Sequence, residues 1–309
     1  VKSIVPKPML ASVPGPLQTL EALASDGWSF EPKIDGVRVI VKRRGDVVQL
    51  WTRTGRDVAA AFPEVVQSIL SADRPRQFLL DGELECINPA LPLSALTGRL
   101  NTTRPRAIMA AAMARPAWVQ AFDALDDDLD LPRMRQVDRR TRLAATVEML
   151  NVPAVQLVES GGMELFERTR RAGDEGVIAK DPRGYYMPGS RTRQWLKFKH
   201  RYTLTVIAVR MHATSSWALT GNGRPFRNIT VALLRGSEPV LVGEVGTGFN
   251  DMEMRQLADI LEDGGYAIVD VSVMGRTKDG LREPVFLGLR TDLNFDNCGI
   301  AQLSEIPLV

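Results

Sequence analysis

With only two cysteines, Cys86 and Cys298, the chain has no disulfide framework, a usage that belongs to a reducing, cytoplasmic setting. Its two histidines, His200 and His212, exclude a histidine-rich zinc site. No apolar run approaches the roughly 18–20 residues that a membrane span needs, and the N-terminal "VKSIVPKPML" lacks the apolar core of a signal peptide. Glycine cradles for phosphate are missing too. G-x-x-x-x-G-K-[ST] does not occur, and no G-x-S-x-G elbow is present. "GTGF" (246–249) starts like G-x-G-x-x-G without its third glycine and reads as a strand-to-helix turn. Any nucleotide chemistry here must be done by side chains.

What is present is ordinary in bulk: 44% hydrophobic and 25% charged residues over 309, enough for one large or two average domains. The net charge of +2 says little, but its distribution says more. Segment 183–201 carries Arg183, Arg191, Arg193, Lys197, Lys199 and Arg201 without an acid, interleaved with Tyr185, Tyr186, Trp195 and Phe198. Most basic runs are solvated faces; this mixture of cations and rings also suits a phosphate-tracking surface with stacking platforms.

Hydrophobic patterning divides the chain near 200–202. Before it, strand-like runs and helices alternate: strands over 28–53 with a hairpin turn at Arg44-Gly45-Asp46, and a helix over 57–72 with Asp57 as its cap. A strand at 77–87 and a helix around 94–115 closed by Pro116 follow, then a strand at 117–125 and an acidic stretch to Pro132. Helices at 133–150 and 162–173 precede the strands "EGVIAK" and "QWLKFKH". After His200, five β-rich runs with one helix (251–264) before the fourth predict an OB-type barrel, a fold often used on oligonucleotides.

Several charged clusters sit in strand patterns where a core is expected. "FEPKIDGVRVIV" (30–41) brings Lys33, Asp35 and Arg38 around one glycine. Period-two alternation puts Trp195, Lys197 and Lys199 on one face of "WLKFKH", where two adjacent ammonium groups favour a shared anion. "LLDGELECI" aligns Asp81, Glu83 and Glu85, and "EGVIAKD" sets Glu175 five residues before Lys180. Carboxylates facing lysines across a sheet can be plain salt bridges, or can serve a divalent cation and a ribose hydroxyl beside a polyphosphate. Phe122 in "FDAL" is either a core ring or a stacking one.

Taken in order, K-x-D-G-x-R (33–38), T-R-T-G (52–55), D-G-E (81–83), F-D (122–123), E-G-V-x-x-K (175–180) and W-x-K-x-K (195–199) change the balance. This ordered set resembles the covalent nucleotidyltransferase superfamily, and within it the ATP-dependent DNA ligases of the small bacterial type. The resemblance spans about residues 6–293. It implies an α+β fold: a nucleotidyltransferase (adenylation) domain over 1–200, with ATP-grasp-like antiparallel sheets and flanking helices, then an OB-fold β-barrel over 201–309.

The resemblance also implies roles. Lys33 would attack the α-phosphate of ATP to form lysyl-AMP, which requires its ordinary pKa near 10.4 to fall. Lys197 and Lys199 would push it that way and stabilise charge on the phosphate. Glu31, Trp195 and Lys180 would belong to the nucleotide site, Lys180 on the phosphates. Arg38 and Glu83 would lie near the ribose or the nick, and Phe122 would stack on adenine with Val177 or Ile178 beneath. Glu175 would sit by Mg²⁺ or Mn²⁺. Arg53 would meet the nucleic-acid 5′-phosphate, and Arg191, Arg193 and Arg224 would help to grip DNA. Further candidates for that grip are the rest of 183–201, Arg43, Arg44 and the loop 220–228.

The family's last motif, R-x-D-K, here reads Arg290, Thr291, Asp292 and Leu293, so Arg290 and Asp292 would orient pyrophosphate without the lysine. The expected partner is nicked duplex DNA, the expected state a monomer acting at the nucleoid, with a repair polymerase, primase or Ku-like protein in context. An RNA ligase or capping-type transferase shares the Lys33 chemistry. An inactive OB-containing nucleic-acid binder does not, and would be expected to have lost Lys33 or Glu175.

Overall fold

The computed structural model describes residues 7–88, 91, 93–125, 134–150, 161–215, 223–262 and 264–308. The acidic stretch 126–132 and positions 220–222 of the loop 220–228 lie outside them. The chain divides into two compact units, 1–199 and 200–309.

The first unit contains strands β1 (Leu10–Ser12), β2 (Ser29–Pro32), β3 (Val37–Arg44), β4 (Val47–Thr52), β5 (Gln77–Cys86), β6 (Ala117–Leu125), β7 (Gly176–Lys180) and β8 (Arg191–Lys199). Its helices are α1 (Leu20–Ser25), α2 (Pro63–Ser71), α3 (Leu93–Leu100), α4 (Pro105–Ala114), α5 (Gln136–Leu150) and α6 (Gly162–Ala172). Two four-stranded sheets result, ordered β1-β8-β7-β2 and β4-β3-β5-β6. The second is antiparallel throughout, whereas the first is mixed, because β1 runs parallel to β8. The purely antiparallel expectation is corrected at that edge.

Alternation along the strands builds three apolar layers. Val39 and Val41 of β3 and Leu80 and Leu84 of β5 face a core completed by α2, α3 and α5. Ile40 and Leu79, one residue out of phase, face the other way, toward Trp195 of β8 and Met9. Leu196 of β8 and Val177 of β7 point to a third cluster with Leu20 and Leu23 of α1 and Leu165 of α6. The middle layer therefore lies between the two sheets, and it is there that the charged motifs gather.

Two local differences from the sequence reading have simple causes. The helix expected around 94–115 is two helices, because Pro105 has no N–H to continue α3 and instead occupies the first turn of α4. Asp57 does not cap α2. Its carboxylate accepts from the N–H groups of Leu50 and Ala59, while Pro63 opens the helix. The Gly45-Asp46 hairpin between β3 and β4 is as expected, with Gly45 at φ +60°.

The second unit holds β9 (Tyr202–Ala213), β10 (Phe226–Arg235), β11 (Glu238–Val245), α7 (Asp251–Glu262), β12 (Ala267–Val273), a hairpin β13 (Gly275–Thr277)–β14 (Gly280–Arg282), and β15 (Val285–Leu289). Five strands pair antiparallel in the order β11-β10-β9-β12-β15, and no pairing among the described residues closes this sheet into a barrel. Asn250 and Glu253 cap α7 reciprocally, each side chain accepting from the other's N–H at 2.9 Å. The helix then buries Met254, Leu257, Ala258 and Leu261, one helical stripe, against the sheet.

Candidate active site

Residues 33–36 are neither strand nor hairpin. They carry the chain from the end of β2, in one sheet, to the start of β3, in the other. The Lys33 N–H donates to the Gly176 carbonyl at 2.9 Å, which fixes the crossing on β7. Gly36 lies so close to β5 that a Cβ would collide with the Leu84 carbonyl oxygen. Gly176, at φ +145° and pressed against the Phe198 carbonyl, is required in the same way. The crossing delivers Lys33 into a cleft of about 230 Å³ between the sheets.

Lys33, Arg38, Glu83, Phe122, Glu175 and Trp195 line this cleft, as do Glu31, Arg53, Arg191, Lys197 and Lys199. Six motifs separated by up to 166 positions thus converge on one space. The Lys33 ammonium pairs with Glu175, whose other oxygen takes Lys199 at 3.1 Å. No carboxylate pairs with Lys197 among the described residues, and burial, then the charges of Lys199, Arg191 and Lys33, lower its pKa. Burial pushes the Glu83 carboxyl up to about 8 against the pull of Arg38 and Lys33.

Beside and beneath this rim, Arg38, Lys180 and Arg139 each have a carboxylate partner, Glu31 serving both Lys180 and, at 4.0 Å, Arg140. Arg38 donates to both oxygens of fully buried Asp81 at 2.6 and 2.7 Å, and its guanidinium lies 4.5 Å from the centre of the Phe122 ring. The Tyr186 hydroxyl donates to Asp81 at 2.7 Å and accepts the Met9 N–H at 3.0 Å. Lys180, fully buried, pairs with Glu31 at 2.7 Å and donates to the Phe122 carbonyl at 3.0 Å. Arg139 of α5 clasps Asp123 with two bonds at 2.9 and 3.0 Å, both side chains fully buried.

The position of Phe122 has a specific cause. In the β5–β6 pairing, Asp81 faces Asp123 but Gly82 faces Ala121, so Phe122 is the extra residue of a β-bulge. Ala117, Val119 and Ala121 of β6 face the helical core, so alternation turns Phe122 into the cleft, edge-on to Trp195 at 6.2 Å, and the bulge shifts the phase only after it, returning Ala124 to the core.

Some sequence expectations need correction. Val177 points away from the cleft into the layer under α1 and α6, and its neighbour Ile178 lines the cleft instead. Lys180 lies under the rings, 4.3 Å from the Trp195 ring, and does not reach the open space where phosphates would sit. Arg191 and Arg193, expected to grip DNA, are both exposed, Arg191 at the cleft and Arg193 outside it, bonded to Gln18 at 3.2 Å. Of the four rings read as stacking platforms in 183–201, Tyr186 and Trp195 are buried and Phe198 packs into the core, leaving Tyr185 as the exposed one.

Arg224, Arg290 and Asp292 belong to the second unit. Arg224 donates to the Gly246 carbonyl at 3.3 Å. Arg290 donates to Asp292 at 2.8 and 2.7 Å and to Asp270 at 2.6 Å, and hydrogen bonding from Arg290 holds the Asp292 carboxyl down to about 2. Leu293 packs beside Ile207, Ile268 and Cys298.

Sequence reasoning missed Asp81 as the Arg38 partner, the Tyr186 bridge, and the Arg139–Asp123 pair. Alternation could have flagged Asp81, since it shares the Glu83 face of β5. Nothing local marks Arg139 among its neighbours Arg135, Arg140 and Arg142.

Two four-stranded sheets enclosing a charged cleft, with helices outside, is the architecture of the nucleotidyltransferase domains of ATP-dependent DNA ligases. The crystal structure of the ligase domain from M. tuberculosis LigD matches with a TM-score of 0.53 at 25% identity, covering 94% of this chain and 97% of that one. The family model described as ATP dependent DNA ligase domain matches residues 8–199, and the chain belongs to this family. DNA ligase 1 of Korarchaeum cryptofilum is 32% identical over 275 residues, 83% of this chain and 48% of that protein. The multifunctional non-homologous end joining DNA repair protein LigD of Mycobacterium tuberculosis is 30% identical over 246 residues, 79% of this chain and 30% of that protein. The chain spans about half the length of the first and under a third of the second.

Proposed function

We propose that this chain is an ATP-dependent DNA ligase that seals nicks in duplex DNA through a lysyl-AMP at Lys33, and that its second unit is the OB-type domain of that enzyme. The observation that carries this reading is the cation surplus around Lys33. Lys197, Lys199, Arg53 and Arg191 line the same cleft, with Glu175 paired to Lys33 and Lys199, so the site calls for an anion beside an amine. A triphosphate meets that need.

The base end fits adenine. Glu31 Oε2 is buried and makes no hydrogen bond among the described residues, Arg140 standing 4.0 Å away, so an exocyclic amine would supply a donor where guanine would present a carbonyl at the corresponding position. Phe122, Trp195 and Ile178 supply the apolar walls. No three His, Cys, Asp or Glu side chains converge among the described residues, which suits a Mg²⁺ or Mn²⁺ taking most of its ligands from phosphates and water. Glu175 is the cleft carboxylate that would hold it. When bound, the ion would neutralise charge on the phosphates.

In this reading, Lys33 Nζ gives up a proton, leaves Glu175, and bonds to the α-phosphorus as the bond to pyrophosphate breaks. Lys197 and Lys199 stabilise the charge on the α-phosphate oxygens. A DNA 5′-phosphate oxygen then takes the AMP from Lys33, breaking the phosphorus–nitrogen bond. The 3′-hydroxyl attacks that 5′-phosphate and releases AMP. Arg290 and Asp292 would act on pyrophosphate in the first step. The name of the LigD relatives suggests a role in break repair beside a polymerase, primase or Ku-like partner.

The test is labelling with ATP carrying a radioactive α-phosphate, followed by sealing of a nicked DNA duplex. Lys33→Ala should abolish both while leaving the fold intact. A lysine-linked adduct in the variant would move the nucleophile elsewhere. Labelling by GTP in place of ATP, or joining of RNA ends alone, would favour the capping-type or RNA-ligase readings.

A further inference from the structure

We propose that a ridge formed by the 53–56 turn and the α3–α4 junction carries the phosphodiester backbone of the duplex away from the cleft. This rests on the ligase reading above and adds a surface to it. From Ile87 to Phe122 the sequence has no Asp or Glu, although 37 acids in 309 residues would place about four in a stretch of that length. It contains four arginines. Arg99 is consumed inside, bonded to Glu64 and to the carbonyls of Ala61 and Arg115. Arg104 and Arg106 are exposed, and no carboxylate pairs with either among the described residues.

This acid-free surface is joined to the cleft. Arg53, at the cleft wall, lies in the turn that follows β4. Three residues on, Arg56 donates to Asn101 at 2.9 Å and to the Leu100 carbonyl at 2.6 Å, locking that turn against the end of α3. Asn101, Thr102 and Thr103 lead from there to Arg104. The nearby carboxylate of the turn, Asp57, is exposed but engaged, accepting from the N–H groups of Leu50 and Ala59 and from the Gln49 side chain. Exposed guanidinium groups and hydroxyl-bearing residues in a stretch without its own acids, continuous with a phosphate-handling cleft, fit a run of phosphates. An acidic protein segment would match the charge but not the continuity with the cleft.

The experiment compares the unaltered chain with an Arg104→Ser/Arg106→Ser variant. Both side chains are exposed and unpaired, so yield of lysyl-AMP from labelled ATP should be unchanged, which also reports folding. Affinity for nicked duplex DNA should fall about tenfold at moderate salt, and the slope of log affinity against log salt should become shallower by about 2. An unchanged slope overturns the proposal, with or without lost affinity, and leaves the acidic protein segment as the better occupant. If the unaltered chain forms no adenylate and binds no nicked duplex, the ligase reading fails and takes the ridge with it. If only the ridge variant behaves normally, the ligase reading stands alone.

Discussion

The floor and the rim of the cleft are built from the same residue types and follow opposite rules. On the floor, each cation has a carboxylate: Arg38 with Asp81, Arg139 with Asp123, and Lys180 with Glu31, which Arg140 also approaches at 4.0 Å. On the rim, Lys33 and Lys199 share Glu175, while Lys197 is paired with no carboxylate among the described residues. A buried charge without a partner costs several kcal/mol, so the fully buried Arg139 and Lys180 tolerate only paired surroundings, while Arg38 bridges from buried Asp81 to the open cleft. The rim is open to water and keeps a positive excess that a polyanion can satisfy. Matching fixes geometry; mismatch creates affinity.

Breaking the floor should do the most damage to the protein itself. Asp123→Asn leaves the Arg139 guanidinium buried with half its partner, and we expect a loss of about 3–5 kcal/mol in denaturant unfolding. Adding Arg139→Met to Asp123→Leu should recover much of that loss, since an apolar pair of similar volume needs no desolvation. If the double variant is as unstable as the single ones summed, the pair is not acting as a unit. Lys197→Ala, on the rim, should show the reverse pattern. Removing it relieves repulsion from Lys199, Arg191 and Lys33, so stability should hold or rise slightly. Lysyl-AMP formation should fall by about 10²-fold or more, the scale of losing one charge-stabilising donor. A stability loss as large as that of Asp123→Asn would erase the distinction between rim and floor.

The sequence and the fold agree most closely where the signal is local. Alternation over 195–199 placed Trp195, Lys197 and Lys199 together, and all three line the cleft. The same alternation assigns Ile178 to the cleft and Val177 to the core, once the facing partner of β7 is known. Phe122 was ambiguous because alternation sets it opposite Ala121 without telling which face of β6 meets the cleft and which the helices. Tyr186 read as a surface ring because its neighbours are basic, yet its hydroxyl bridges Asp81, 105 residues earlier, and Met9, 177 residues earlier. Arg139 is one of five arginines between 133 and 142, and only the tertiary position of Asp123 selects it. Pairings that cross 16 to 177 residues leave no periodic trace.

Glu83 tests the boundary between the two regions. It lines the cleft, yet burial rather than any partner dominates its titration, raising it from an ordinary carboxyl near 4.5 to about 8. Between those values the folded chain keeps a proton that the unfolded chain has released. Its contribution to stability is therefore fully present below about pH 4.5 and is lost as pH rises through about 8. Glu83→Gln cannot release that proton, so its melting temperature relative to the unaltered chain should climb between pH 5 and pH 8 and level off above. A difference that stays constant over this range would mean that Glu83 titrates as an open rim carboxylate, and the floor would then end at Asp81.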